Sequence, residues 1–175
     1  MVSLNLILVF QAVEQALVDG ILWIHVFMAI IFIGGSYFMW LVVWPSSFKI
    51  SEDEKQRTKI VGNIAKRFAY FSHATLLILV ITGLILAFGW YLPEPSDLFT
   101  TISGHILLAK MIVVATMIII VYGNNLYHGK RIMRLSREGK KEELNKLRKM
   151  SHFMSYTSLA LMALITILAV SLQIY

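Results

Sequence analysis

The 175-residue chain has no cysteine, only three prolines and only ten acidic residues. Without cysteine there is no disulfide, no thiolate zinc site, no iron–sulfur ligation and no covalent c-type haem attachment. Any metal chemistry therefore falls to histidine, methionine, lysine or carboxylate. Charge is also scarce: 15% of the residues are charged and 58% are hydrophobic, against about 25% charged in an ordinary soluble domain. Such a chain cannot cover a water-facing surface, and the bilayer is the solvent to reason in.

What the chain has instead is apolar length. Four segments, residues 21–43, 68–90, 105–127 and 151–174, each approach the ~20 residues that a helix needs to cross a ~30 Å hydrocarbon core. Between the first two lie six basic and three acidic residues, and between the last two nine basic and three acidic. By the positive-inside rule the loops 44–67 and 128–150 are expected to be cytoplasmic, with the N-terminal segment and the C-terminus outside the cell membrane. The remaining acids, Glu14, Asp19, Glu94 and Asp97, fall on the opposite side, which leaves Lys110 as the one base inside a span. Trp23, Trp90 and Tyr91 mark the outer interface, and Trp40 and Trp44 the inner one. The net charge of +6 thus reflects topology and anionic lipid headgroups, and nucleic acid is not an expected partner.

The expected fold is all-α: a single membrane domain over 1–175, built as a four-helix up-down bundle with an extra N-terminal interfacial helix. That helix is residues 1–18, which lack the basic n-region of a signal peptide and are interrupted by Gln11, Glu14 and Gln15. The outer loop "YLPEPSDLFTTIS" holds two of the three prolines, and a Ser103-Gly104 pair is the expected cap of the third span. Leu144 and Leu147, set among alternating charges, suggest a short helical extension on the inner side.

The histidines repeat. His25 stands near the outer end of span one and His73 near the inner end of span two, 48 positions on; His105 and His152 repeat that placement 47 apart. With short loops, alternate helices of an up-down bundle lie diagonally. His25 and His105 are then expected to meet at the outer level, and His73 and His152 at the inner level, roughly 20 Å apart along the membrane normal at 1.5 Å per residue. Two level-matched imidazole pairs are the layout of a cytochrome holding two b-type haems, each iron ligated by two neutral imidazoles. His128, near Asn124 and Asn125, competes with His152 for the inner site, and Gly34-Gly35 lets a neighbouring helix or flat macrocycle approach.

Lys110 is a cation in hydrocarbon and so a functional suspect. At 100° per residue it points about 140° away from His105 and shares a face with Met117, Val121 and His128. A haem propionate would offset its desolvation; the alternatives are axial ligation once deprotonated, and snorkelling to the headgroups. Met28 near His25, and Met111 near His105, offer a soft His/Met site for copper in place of haem.

The stretches "IHVFMAIIFIGGSYFMWLVVWPSSF", "IAKRFAYFSHATLLILVITGLILA" and "GHILLAKMIVVATMIIIVYGNNLYHGKRI" carry a family pattern. It consists of His25 followed by Gly34 and Gly35, then Arg67-Phe68 opening a span that ends in Thr82-Gly83, then Gly104, Leu107, Leu108 and Lys110. Across roughly the first three spans the chain resembles the copper resistance protein D family. It is also similar to the HemJ type of protoporphyrinogen oxidase. The resemblance implies that His25 and Lys110 form the core of a site with haem b as cofactor. His73, His105 and His152 depart from those families, and suit an electron carrier better than a porphyrinogen oxidase. The expected function is transmembrane electron transfer by two bis-His haems, with a quinol or another redox protein as partner and a homodimer left open. Protoporphyrinogen IX oxidation at one haem and copper binding or transport are the alternatives.

Overall fold

The computed structural model describes residues 2–92 and 94–174, with side chains described for all of these except 2–6 and 125. It is all-helical among the described residues. α1 (Val2–Phe38) runs through a π-helical turn (Met39–Val43) into α2 (Trp44–Ile50). α3 (Glu54–Leu86) ends in a second π-helical turn (Ala87–Tyr91), and α4 (Asp97–Thr100) is a single turn. α5 (Ile102–Gly123) passes through a third π-helical segment (Asn124–Gly129) into α6 (Lys130–Glu138), and α7 (Lys141–Ser171) closes the chain. Four of these helical runs are long and apolar enough to cross a membrane, which makes this a multi-pass membrane protein.

Local chemistry sets the ends. Asp53 caps α3 by accepting from the amides of Lys55, at 3.0 Å, and Gln56, at 3.3 Å, with Glu54 against the positive end of the helix dipole. Pro45 stands in the first turn of α2, where its missing donor is harmless. Gly139, at φ 70°, supplies the left-handed residue that ends α6 and lets α7 start two residues later.

All four spans contribute to one core: Phe32 from α1, Leu76 from α3, Met117 from α5, and Leu159 and Met162 from α7. α1 packs chiefly on α3 and α5 chiefly on α7. Tyr37 joins the two pairs by donating its hydroxyl to the Leu159 carbonyl at 2.9 Å. At one end Ala87, Leu92, Leu107 and Leu172 gather the loop between α3 and α5; at the other Leu135, Leu144 and Leu147 pack α6 on α7. Arg148 of α7 binds Glu54 and Thr58 of α3, fastening the basic end. Large apolar side chains such as Ile30, Leu41, Leu77, Ile119, Phe153 and Ile167 point outward, as a lipid-solvated bundle requires.

Three expectations differ from what forms. The separate N-terminal interfacial helix is absent, because residues 2–20 continue directly into the first span. A lone Gly20 costs a helix only about 1 kcal/mol, and Asp19 accepts from Gln15 one turn back at 3.0 Å, so nothing stops α1. The segments 44–67 and 128–150, read as loops with a short helical extension around Leu144 and Leu147, are mostly helix; the extension forms as the start of α7, and the rest is helical because hydropathy marks the bilayer and not the end of a helix. The cap of α5 is Thr101, whose side chain accepts from the Gly104 amide at 2.9 Å. Gly104 itself lies against the backbone of Asp97 and Leu98, where no Cβ fits.

Candidate functional site

α1 turns His25 toward the bundle on the same face as Phe32, two turns further on. Its Nδ1 lies 2.8 Å from Oγ1 of Thr82, which is 8% exposed on α3. The threonine hydroxyl has one proton and directs it to the Ile78 carbonyl at 2.7 Å, with the Leu79 carbonyl at 3.3 Å as a second acceptor. Thr82 is thereby left as the acceptor for His25 Nδ1–H. With the hydroxyl proton assigned to the carbonyl, the tautomer is the one protonated on Nδ1 and the ring's lone pair falls on Nε2. Gly83 completes the seat: a Cβ there would come within 3.1 Å of His25 Cε1, so a glycine is what lets the ring lie against α3.

Lys110 stands on α5 and is half-buried. Lys110 shares its helix face with Met117 and His128, 3% and 5% exposed, so that face looks into the bundle. Among the described residues its ammonium has no ion-pair partner. His25 is thus seated against α3, and Lys110 is a half-buried base on α5.

The Gly-Gly pair divides its roles. Gly35 faces the Phe68 ring of α3, which a Cβ would strike, whereas Gly34 has nothing within 4 Å of where its Cβ would be. Gly35 is thus the point of close approach between α1 and α3.

The other imidazoles lie elsewhere. His105 is exposed on the first turn of α5. His73 stacks on Tyr122 of α5, with centroids 4.8 Å apart and planes 16° from parallel. His152 lies edge-on to Trp40 and Trp44, at 5.1 and 4.8 Å. His128 is buried with both ring nitrogens unpartnered. The two imidazoles expected to face each other at the inner level are therefore each packed against aromatic rings of a different helix. Trp40 of the π-helical turn after α1 and Trp44 of α2 occupy the place beside His152 on α7. Met111 packs into the apolar cluster around Leu107, and Met28 is half-buried on α1. Among the described residues there is no group of three or more His, Asp or Glu side chains arranged to hold a metal ion.

Thr82, Tyr122, Trp40 and Trp44 are the partners that a search for ligands passes over. Thr82 had a signal in the sequence as half of the Thr-Gly pair that ends the second span, and Trp40 and Trp44 as interface markers; Tyr122 had none.

A family model described as copper resistance protein D matches residues 62–172. The chain belongs to the copper resistance protein D family. The match takes in Thr82, Gly83, Gly104 and Lys110 and extends through the fourth span; His25, Gly34 and Gly35 precede it. Comparison with curated proteins and with solved structures gave no match. The copper resistance protein D membership thus rests on spans two to four, and the seat of His25 is built from a threonine and a glycine within that region.

Proposed function

We propose that the protein is a membrane redox carrier that holds one haem b at the His25–Lys110 site. The observation that supports this is the hydrogen bond from His25 to Thr82, because it presents Nε2 as a ligand with its tautomer fixed in advance, as metal-binding imidazoles require. The donor chemistry fits the group: a porphyrin brings four nitrogens of its own, so one imidazole suffices where no cluster of three protein ligands exists. Lys110 would hold a propionate, satisfying both charges out of water. Thr82 orients the ring, and Phe32, Leu76 and Met117 keep the core dry. When bound, the group supplies one-electron chemistry at iron.

One haem, in place of the two expected from the histidine repeat, is the reading taken. His73 and His152 are engaged with Tyr122 and with Trp40 and Trp44. Electrons would be exchanged with a quinol or a second redox protein, and the basic loops would face the cytoplasm with both termini outside.

A second reading is copper binding. It draws on the family's description and on Met28, one turn from His25 and half-buried beside it. The positive charge of Lys110 weighs against a bare cation at the same place. The deciding experiment is the absorption spectrum and pyridine haemochrome of the purified protein. About one haem per chain, lost in His25→Ala, supports the first reading. A colourless protein that binds Cu(I) through His25 replaces it with the second, and a protein that binds neither overturns both.

A further inference from the structure

At the basic end of the bundle, far along α5 from Lys110, a cleft of about 330 Å³ opens between Tyr127, Lys130, Arg131 and Arg134. Three cations and a phenol line it, with no carboxylate among them. Arg131 donates from one Nη to the Tyr127 hydroxyl at 3.2 Å, while its Nε is buried and has no partner. Arg134 reaches Glu138 at 3.7 Å through an exposed contact, and Glu138 is also held by Lys140 at 3.2 Å. No other carboxylate is paired with these three cations among the described residues.

The Arg131 guanidinium, one of three cations in a cleft with no carboxylate in its lining, gains from an anion that arrives there. Its planar fork matches two oxygens of a tetrahedral anion, a geometry a lysine cannot reproduce. The cleft volume lies at the lower end of the ~300–1,000 Å³ typical of small-ligand sites, so it admits a phosphate with its ester substituents. Its depth fits as well. Tyr127 closes the third apolar segment of the sequence and the basic residues of α6 follow three residues later, the pattern expected where a chain meets lipid headgroups.

We propose that this cleft is a binding site for a phosphate-bearing anion, held by Arg131 with Lys130 and Arg134, and that the source of the phosphate is the headgroup of an anionic lipid or a soluble phosphate. The site is separate from the His25–Lys110 centre and does not depend on the reading given to it.

The test uses the full chain in phosphatidylcholine nanodiscs. Native mass spectrometry follows short-chain phosphatidylglycerol, and calorimetry follows inorganic phosphate. Phosphatidylglycerol should bind, with affinity about tenfold lower in Arg131→Gln/Arg134→Gln. Lys146→Gln removes the same kind of charge at the same end but outside the cleft, and should change binding by less than about twofold. Arg131→Lys keeps the charge and loses the fork; it should lose about threefold and reports on the site even if the double variant folds poorly. Inorganic phosphate that binds with the same residue dependence and displaces the lipid supports the site and names a soluble ligand. Equal losses in Lys146→Gln and the double variant mean general attraction to basic surface, which overturns the proposal. Absence of binding by either probe overturns it too.

Discussion

Thr82 on α3 holds His25 of α1 by a hydrogen bond of 2.8 Å whose direction is fixed by the threonine's own bond to the Ile78 carbonyl. Thr82→Val keeps the shape and removes the acceptor. The imidazole then loses its fixed tautomer, and a buried N–H is left unpaired at a cost of about 1–3 kcal/mol. On the proposed haem reading, the variant should bind haem about tenfold more weakly or worse, while Thr82→Ser, which keeps the oxygen, stays close to wild type. Cofactor titration of the three proteins measures this, and equal affinity in all three would refute the orienting role of Thr82.

His73 and His152 give the contrasting case. Both rings are packed against aromatic side chains, His73 stacked on Tyr122 and His152 edge-on to two tryptophans. A phenylalanine can replace either ring with little change in packing. If the protein holds the proposed haem, His73→Phe and His152→Phe should each leave its amount per chain unchanged, read as pyridine haemochrome against protein concentration. A fall by about half would restore the second, inner haem that the histidine repeat suggests.

The architecture was readable in the sequence because apolar length is a large signal: the first three spans lie within the observed helical runs, and the fourth runs only three residues past the end of its helix at Ser171. Pairing was not. His25 and Lys110 could be placed on inward faces from periodicity, but which helix each face meets depends on how the four rods sit together, and no single-chain pattern encodes that. Thr82 is the instructive residue. Its value lies in where it sends its proton, a property of the α3 backbone at Ile78 that no spacing rule reports. The unbroken α1 escaped for a different reason: Gln11, Glu14 and Gln15 disfavour burial in lipid, yet they are good helix formers.

The glycines make a stability prediction. At Gly104 a methyl group would meet the backbone of Asp97 and Leu98, which cannot move aside as a flexible side chain can. Gly104→Ala should lower stability by about 1–3 kcal/mol and loosen the loop carrying α4. At Gly34 nothing lies within 4 Å, so Gly34→Ala should be neutral or raise stability by up to about 1 kcal/mol through helix propensity alone. Unfolding in mixed micelles, followed by circular dichroism, compares the two.

Asn124 joins α5 to α7. Its Nδ2 donates to Ser155 Oγ at 2.9 Å and to the Ser151 carbonyl at 3.2 Å, and its Oδ1 accepts from Ser151 Oγ at 2.7 Å. Interhelical hydrogen bonds in membranes average about 0.6 kcal/mol and reach about 1.7. Asn124→Leu removes all three and should cost about 2 kcal/mol. Asn124→Leu combined with Ser151→Ala should cost little more than Asn124→Leu alone, because the serine's partner is already gone. Strict additivity in that cycle, measured by unfolding in the same micelles, would mean the two residues act independently.

Lys110 has no ion-pair partner among the described residues and faces the same interior as the buried Met117. In a bilayer such a charge costs at least about 2.5 kcal/mol near the membrane centre and less toward the interface. A purely structural lysine would be expected to have a partner, or to reach the headgroups. Lys110→Met keeps length and removes charge, and it should act in opposite directions on two measurements. The cofactor-free protein should become more stable, by about 1–2 kcal/mol, because the desolvation cost disappears. Affinity for a carboxylate-bearing macrocycle should fall by about tenfold or more, because the carboxylate then has no partner. Lys110→Arg should restore part of that affinity. If Lys110→Met instead destabilises the empty protein and leaves cofactor affinity intact, the ammonium is anchoring the helix at the interface and takes no part in the site.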